Sequence, residues 1–250
     1  MNLKRFYSDK KRLSYNPRNN ILGYKIRNRI IAFDDRFVTV KNKLNAIVNE
    51  SNQNKIRFLD IGIGDGVYES LLEKQVLDKL YICGIDISKV QINRAKKYIK
   101  EGKIIDLNSQ IIPYKDNSFD LILISEILEH IFYPDKALEE ASRLLKPGGK
   151  LVLTFPNSGS LQLRLSLLLF GSSPLLNYPE NTEHLRYFNK RGILRMLGQD
   201  FEILTYEGLG SLLFSKWNFQ TRIIMPRILQ ILSNKLLPGY ALGNLLVLGK

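Results

Sequence analysis

A glycine-rich segment contains the first residues of the chain that could hold a ligand. Gly62, Gly64 and Gly66 stand at every second position after an apolar run that ends at Ile61. Glycines placed after a strand permit positive φ angles and let a ligand lie against the backbone, and a following helix offers free N–H groups. The nicotinamide fingerprint GxGxxG would need a glycine at Val67. The segment therefore predicts a site for a small polar ligand and argues against a dehydrogenase.

Asp86 is the second candidate ligand-binding residue, because it ends the apolar run LYICGID about 20 residues after the glycines. An acidic side chain at the carboxyl end of the second strand can accept hydrogen bonds from both hydroxyl groups of a ribose. Asp86 could instead supply a negative charge to the start of the next helix, although Ser88 is the expected N-cap there. The spacing favours ribose binding.

The two histidines, His130 and His184, are the candidates for general acid–base chemistry. His130 closes the run SEILEH just past the fourth predicted strand, and His184 lies in EHLRYF, where Arg186 and Tyr187 could also contact an acceptor. Both segments could equally be loops that only pack on the sheet. A Glu-x-x-Glu-His run could also ligate a divalent metal, but no complete ligand set is visible, so we predict no metal site.

Strand-like and helix-like segments alternate from Lys55 onward, which predicts a parallel, doubly wound α/β sheet. Amphipathic stretches at 67–77, 89–99 and 135–145 fit crossover helices. The predicted strands are KIRFLDI, LYICGIDI, KIIDL, FDLILIS, KLVLTFP, FEILTYEG and NLLVLGK.

The domain prediction is a basic, Tyr-rich helical lead-in or lid over residues 1–50 and a main domain over 51–250. Residues 158–188 and 208–239 interrupt the alternation, and we expect them on the acceptor side of the cleft. For the apolar stretch Leu161 to Phe170, burial in the core is favoured over an interfacial position. The second insertion predicts a helix, packed on the sheet or on a lipid surface, from residues at helical spacing: Ile224, Ile228, Ile231, Leu232 and Lys235.

A formal net charge of +13 and a pI near 9.7 are large enough to attract anionic partners such as nucleic acid, an acidic lipid surface or phosphorylated substrates. The same charge could equally belong to a lysine-rich solvated surface, and charge alone does not select among these alternatives. The single cysteine, Cys83, excludes an internal disulfide and favours a reducing compartment. The basic, polar N-terminus does not resemble a secretory signal, and no apolar run reaches the length of a spanning helix. We therefore expect a cytoplasmic protein, for which peripheral membrane contact remains open.

Four segments in order, LDIGIGDG, GIDIS, DLNSQIIPYKDNSFDLILISEILEHI and RLLKPGGKLVLTFPN, resemble the class I S-adenosylmethionine (SAM)-dependent methyltransferases of type 11. The later segments look similar to the MetW-like branch associated with methionine biosynthesis and to methyltransferases found with bacterial surface-glycan genes. The resemblance implies a Rossmann-like seven-stranded sheet of order 3-2-1-4-5-7-6, with the last strand antiparallel. It also implies SAM-binding residues, namely Asp60, Gly62, Gly64, Gly66, Asp86, Ile87, Asp106, Leu107 and Ser125.

Three functions follow from these observations as alternatives. The first is methyl transfer to an oxygen or nitrogen atom of a small molecule or of a lipid- or nucleotide-linked glycan, with His130 or His184 as the base and S-adenosylhomocysteine as the product. The second is a SAM-fold protein that acts by binding a partner enzyme. The third, motivated by charge alone, is RNA methylation. A fold alone does not select among them.

Overall fold

A central sheet of seven strands organises the chain. The computed structural model describes residues 25–26, 29–30, 35–171, 184–210 and 227–250. Its strands are β1 Lys25–Ile26, β2 Arg29–Ile30, β3 Ile56–Ile61, β4 Leu80–Asp86, β5 Glu101–Ile104, β6 Phe119–Ser125, β7 Leu145–Pro156, β8 Glu202–Leu209 and β9 Gly243–Gly249. Its helices are α1 Asp35–Glu50, α2 Lys74–Leu77, α3 Lys89–Ala95, α4 Pro134–Leu144, α5 Leu161–Phe170, α6 Lys190–Leu197 and α7 Arg227–Leu236, with 3₁₀ turns at Glu69–Leu71, Leu128–His130 and Pro238–Tyr240.

The strand order of the sheet is β5-β4-β3-β6-β7-β9-β8, and β1 and β2 form a separate antiparallel pair. When only the seven strands of this sheet are numbered along the chain, β3 is strand 1 and β9 is strand 7. The order then reads 3-2-1-4-5-7-6, as predicted. Strands β3 to β7 are parallel, whereas β9 lies antiparallel between β7 and β8. The predicted fold class is therefore confirmed, including the antiparallel last strand.

Alternate residues of the central strands face opposite sides of the sheet, and each side carries a buried apolar cluster. Leu59 and Ile61 of β3 belong to one cluster together with residues of α4 and α6. Phe58 of the same strand belongs to the other cluster together with residues of α1 and α3. Since strands buried on both faces need apolar residues at successive positions, this arrangement explains their continuous apolar runs.

The direction of winding reverses at β3, which pairs with β4 on one side and with β6 on the other. Asp60 aligns with Gly84 of β4 and with Leu123 of β6. The carboxyl ends of these three strands therefore lie side by side. In open α/β sheets the crevice outside such a switch point is the usual place for a ligand.

One predicted helix is wrong, because residues 67–77 form a 3₁₀ turn and the short helix α2 rather than one continuous helix. Leu72 and Glu73 have extended backbone angles between the two pieces. This break places Leu72 in the core and lets the Glu73 carboxylate accept a hydrogen bond from Asn45 of α1 at 3.0 Å. Tertiary contacts thus override the local helical pattern.

The burial predicted for Leu161 to Phe170 is also wrong. These residues form helix α5, but only Leu163 among them is buried. Leu168 is 80% exposed and Phe170 is 76% exposed. The first half of the helix contacts the protein, whereas the apolar side chains from Leu167 to Phe170 are all exposed.

The lead-in region is described in part. Helix α1 buries Phe37, Val40, Leu44 and Val48 in the same cluster as β3, so it packs against the main sheet. The division at residue 50 and the lid stay predictions. Ile224 and the rest of segment 211–226 lie outside the described residues, and within the part of the chain that is described no helix has the length and apolarity to cross a membrane.

The central position of β6 predicts a large penalty for shortening its side chains. Leu123→Ala removes a fully buried side chain, and we expect it to lower the free energy of unfolding by about 3 kcal/mol. Leu204→Ala on the edge strand β8, where the side chain is 46% exposed, serves as the control and should cost under about 1 kcal/mol. Urea unfolding followed by circular dichroism measures both changes, and equal penalties would contradict this description of the core.

Candidate functional site

The glycine turn lies where β3 ends, and each of its three glycines has a positive φ angle. The φ angles are 83° at Gly62, 58° at Gly64 and 77° at Gly66. A Cβ atom on Gly62 would lie 2.1 Å from the side chain of Ile127, so this glycine is required by close packing. A Cβ atom on Gly64 would have no atom of the described residues within 4 Å. The backbone at Gly64 therefore faces open space, which is the condition for a ligand to lie directly on it.

Asp86 joins the glycine turn to the start of helix α3. One carboxylate oxygen accepts a hydrogen bond from the backbone N–H of Gly64 at 3.0 Å, and the other accepts one from the N–H of Ser88 at 2.7 Å. The Ser88 side chain caps α3 by accepting a hydrogen bond from the backbone N–H of Gln91. Asp86 thus orders the turn, and each of its oxygens retains a lone pair for a further donor such as a ribose hydroxyl.

Asp60 and Glu69 are two buried carboxyl groups beneath the glycine turn. Asp60 is 2% exposed and Glu69 is fully buried. One oxygen of Asp60 and both oxygens of Glu69 accept no hydrogen bond from any other residue of the described part of the chain, and the two carboxyl groups lie within hydrogen-bonding reach of each other. Burial, followed by the charge of Glu69, raises the pKa of Asp60 well above its usual value. Burial raises the pKa of Glu69 to about 7.

The loop after β5 holds Asp106 and Leu107 at the same edge of the sheet. Asp106 accepts a hydrogen bond from the backbone N–H of Asn108 at 3.0 Å, which fixes a tight turn. The Asn108 side chain in turn accepts a hydrogen bond from the N–H of Phe132 at 2.7 Å, and Leu107 packs against the core. This loop is therefore tied to the segment that follows β6.

Ser125 ends β6 and takes part in a row of polar contacts. Its hydroxyl is hydrogen-bonded to the Tyr68 hydroxyl at 2.7 Å and to the Thr154 hydroxyl at 2.8 Å. Thr154 also donates to Glu126 at 3.0 Å, and the second oxygen of Glu126 pairs with Arg36 of α1 at 2.8 Å. These contacts fix the residues at the carboxyl edge and connect them to the start of α1.

The residue after Ser125 has an unusual backbone conformation. Glu126 has a φ angle of +55°, which is uncommon for a residue with a side chain. Such conformations persist where the surroundings hold them, and they are frequent at functional sites. Here the pairing of Glu126 with Thr154 and Arg36 holds the turn.

The two histidines meet in space. The ring centroids of His130 and His184 are 4.9 Å apart at an interplanar angle of 73°. Glu129 lies beside them, with a carboxylate oxygen 3.8 Å from Nε2 of His130. Both oxygens of Glu129 are buried and accept no hydrogen bond in the described residues. Burial is the main cause that raises the pKa of Glu129, and burial also lowers the pKa of His184.

Backbone hydrogen bonds bring His184 to this position. The carbonyl oxygen of Glu129 accepts from the N–H groups of Leu185 and Arg186 at 2.7 and 3.1 Å. One potential ligand atom each from Glu129, His130 and His184 lies within 4.8 Å of the others, a spacing within which a metal ion could be bound. Two imidazoles and one carboxylate are a known set of metal ligands, so the cluster suits either a metal or proton transfer.

The sequence identified most residues of this edge but missed several. The predicted ligand residues from Asp60 to Ser125 all lie at or just beyond the carboxyl ends of β3, β4, β5 and β6. Glu69, Tyr68, Thr154 and Arg36 were not predicted. Only the break in helical structure at residues 72–73 would have pointed to Glu69, and the sequence carries no signal for that break.

The fold and this edge together define the class of protein. A seven-stranded sheet of this order, a glycine turn at its switch point and an acidic residue at the end of the next strand are the features of a Rossmann-like methyltransferase. Residues 59–153 match the Methyltransf_11 family, described as a methyltransferase domain. Residues 59–153 therefore carry a methyltransferase domain of this family, and such a domain implies SAM as its cofactor.

Known proteins are similar to this chain over part of their length. An uncharacterized protein of Methanocaldococcus jannaschii is 33% identical over 48% of this chain and 54% of its own length. The ubiquinone/menaquinone biosynthesis C-methyltransferase UbiE of Vibrio cholerae is 31% identical over 39% of this chain and 40% of its own length. The chain thus spans about half the length of these relatives or less.

A solved structure extends the similarity to most of the fold. The SAM-dependent methyltransferase of Thermotoga maritima, described as a possible histamine N-methyltransferase, aligns with 86% of this chain and 90% of its own, with a TM-score of 0.56. At 21% identity this likeness shows the shared fold. The MetW-like branch stays a prediction.

The raised pKa of Glu69 predicts a dependence of stability on pH. The carboxyl group stays protonated to about pH 7 in the folded protein but ionises near pH 4.5 when unfolded, so the free energy of unfolding should fall as pH rises through this window. Glu69→Gln cannot ionise, and we expect it to be more stable than the wild type by about 2–3 kcal/mol above pH 7 and by much less near pH 4.5.

The measurement is urea unfolding of both proteins without cofactor at several pH values. Glu139→Gln is the matched control, because Glu139 is exposed on α4. A Glu69→Gln protein whose stability relative to the wild type does not change with pH would show that Glu69 titrates normally.

Proposed function

We propose that this chain transfers a methyl group from SAM to an oxygen or nitrogen atom of a small molecule or of a lipid- or nucleotide-linked glycan. The observation that carries the proposal is the pair of buried carboxyl groups, Asp60 and Glu69, beneath a glycine turn whose backbone is open at Gly64. Buried carboxyl groups without hydrogen-bond donors are costly unless a cation compensates them. When bound, SAM supplies the methyl group from a positively charged sulfur atom, and its ammonium group carries a second positive charge.

The residues at this edge fit the parts of such a cofactor. Asp60 and the glycine backbone hold the methionine end, where the carboxyl groups compensate positive charge. Asp86 and Ile87 hold the ribose, since the Asp86 oxygens are oriented by Gly64 and Ser88. Asp106 and Leu107 contact the adenine, and Ser125 forms the inner wall of the pocket.

The histidine pair supplies the base that an oxygen or nitrogen acceptor needs. Removal of a proton from the acceptor as the methyl group is transferred requires a neutral imidazole within hydrogen-bond reach. The lowered pKa of His184 keeps this ring neutral at pH 7. His130 packs against this ring, and Glu129 lies beside the pair.

The acceptor side lies next to this pair. Arg186 and Tyr187 are exposed; Arg186 donates its backbone N–H to the carbonyl oxygen of Glu129, and Tyr187 is the next residue. A guanidinium group and the net charge of +13 favour an anionic acceptor. The name of the UbiE relative specifies a carbon acceptor for that protein, and the partial match supports methyl transfer without selecting the atom.

Cofactor binding is tested by isothermal titration with SAM and with S-adenosylhomocysteine. The wild type should bind both, and Asp86→Ala should weaken binding by about 10-fold or more because a hydrogen-bonding carboxylate is lost. Gly64→Val should abolish binding, since its side chain would fill the space above the turn. Gly148→Val is the matched control, because Gly148 has a φ angle of 77° and is equally open but lies at the start of β7.

Binding that survives Gly64→Val and is lost in Gly148→Val would place the cofactor elsewhere. A folded wild-type protein that binds neither compound would contradict methyl transfer and favour action through a partner enzyme.

An acceptor is first sought in a panel of anionic sugars and lipids by following the production of S-adenosylhomocysteine. The variants His184→Asn and His130→Asn then test which histidine is the base. We expect the variant that lacks the base to lose about 10²-fold or more in kcat. The Kd of SAM should be unchanged in both variants, because neither ring is placed against the cofactor. Full turnover by both variants would exclude a histidine base for that acceptor.

A further inference from the structure

Helices α5 and α7 form an apolar corner of the molecule. We use this name for their exposed apolar side chains, of which Leu168, Phe170 and Leu236 are 75–80% exposed. Exposed apolar side chains in this number are uncommon on proteins that act free in solution, and groups of them mark interaction sites. The members of the corner are Leu165, Leu167, Leu168, Leu169, Phe170, Leu229, Ile231, Leu232, Leu236 and Leu237.

Contacts at the base of the two helices hold them at one edge of the fold. The buried side chain of Asn157, just before α5, donates hydrogen bonds to the carbonyl oxygens of Gly239 and Ala241 at 2.9 and 2.8 Å. The guanidinium group of Arg164 lies over the ring of Tyr240, 4.9 Å from its centroid. Since Gly239 and Tyr240 follow α7, the start of α5 is attached directly to the end of α7.

The orientation of α7 is the reverse of that of an ordinary surface helix. An amphipathic helix on a protein in water turns its apolar face to the core. Here Asn234 is 7% exposed and lies against β8, where a Cβ atom on Gly208 would be 3.2 Å from the Asn234 Cα atom. Ile231, Leu232 and Leu236 point away from the sheet and are 48–75% exposed. A helix so placed needs an apolar partner outside the described fold.

The charged residues of helices α5 and α7 are of one sign. Neither helix contains Asp or Glu. Their basic residues are Arg164, Arg227 and Lys235. Apolar side chains together with basic ones, without acidic residues, are the composition of helices that lie in the interface of an anionic membrane.

We propose that the apolar corner docks on the surface of a membrane that contains anionic lipid. Helices α5 and α7 lie in the plane of the interface, with their leucines among the acyl chains and the basic side chains at the headgroups. The helices do not span the bilayer, since each has 10 residues. This docking is independent of methyl transfer, and it requires only the fold.

The position of α5 relates this surface to the candidate site. Strand β7 ends at Pro156 and α5 begins at Leu161, so α5 leaves the sheet at the carboxyl edge that carries the glycine turn. A membrane bound at the corner would therefore lie near the acceptor side of the cleft. Lipid-linked acceptors would reach the site without leaving the bilayer surface.

The test is co-sedimentation of the full chain with vesicles of phosphatidylcholine alone or of phosphatidylcholine mixed with phosphatidylglycerol. We expect binding to the anionic vesicles that weakens as salt is raised, and little binding to the neutral ones. The double variant Leu168→Glu/Phe170→Glu should bind at least about 10-fold more weakly, because it removes two apolar side chains and adds charges repelled by the lipid. Ile111→Glu is the matched control, since Ile111 is 75% exposed outside the corner.

Circular dichroism establishes that each variant is folded. Equal binding by the double variant and the wild type, or no binding of folded wild type to anionic vesicles, would overturn the proposal. So would a wild-type dimer in the absence of lipid that the double variant converts to monomer, because a second copy of the chain would then cover the corner. Loss of vesicle binding with unchanged SAM binding would support docking whatever the chain's catalytic activity.

Discussion

Close packing at the carboxyl end of β3 is the constraint on which the candidate site depends. Parallel pairing with β4 and β6 brings three strand ends together, and the chain must then cross the end of β4 without displacing either neighbour. Gly62 meets the side chain of Ile127, which follows β6, and Gly84 of β4 lies under Ile63 so closely that a Cβ atom would be 2.6 Å away. Side chains at Gly62 and Gly84 would displace Ile127 and Ile63, so glycine at both positions lets the turn pack directly against its neighbours.

The buried carboxyl groups near this turn lower the stability of the folded protein when no ligand is bound. Asp60, Glu69 and Asp86 all have raised pKa values, and burial is the largest cause in each case. A purely structural site would place apolar side chains or paired charges there, since unpaired buried carboxyl groups cost free energy. Groups with strongly shifted pKa values concentrate at functional sites for this reason. A cationic ligand would favour the ionised form of these carboxyl groups and offset the cost of their burial.

The features set by local pattern could be predicted, and those set by tertiary contact could not. The apolar runs predicted the strands, and the glycine spacing predicted the positions of Gly64 and Asp86 at the strand ends. Both patterns depend on only a few adjacent residues. Glu69 lies in a segment with helical spacing, VYESLLE, where a glutamate would be expected to face solvent. Its burial follows from the break before α2, which a contact with Asn45 of α1 stabilises. The meeting of His130 and His184 likewise depends on a distant backbone contact.

The error over α5 has a physical consequence for the acceptor side. Apolar composition shows that Leu161 to Phe170 avoids water, but it does not show whether the protein or another apolar phase receives the helix. Because Asn157 attaches the start of α5 to the chain after α7, and Ser158 donates both its N–H and its hydroxyl to the carbonyl of Phe188, the apolar corner and the segment that carries His184 share one set of contacts. The apolar corner and the histidine pair are in this way connected through the fold.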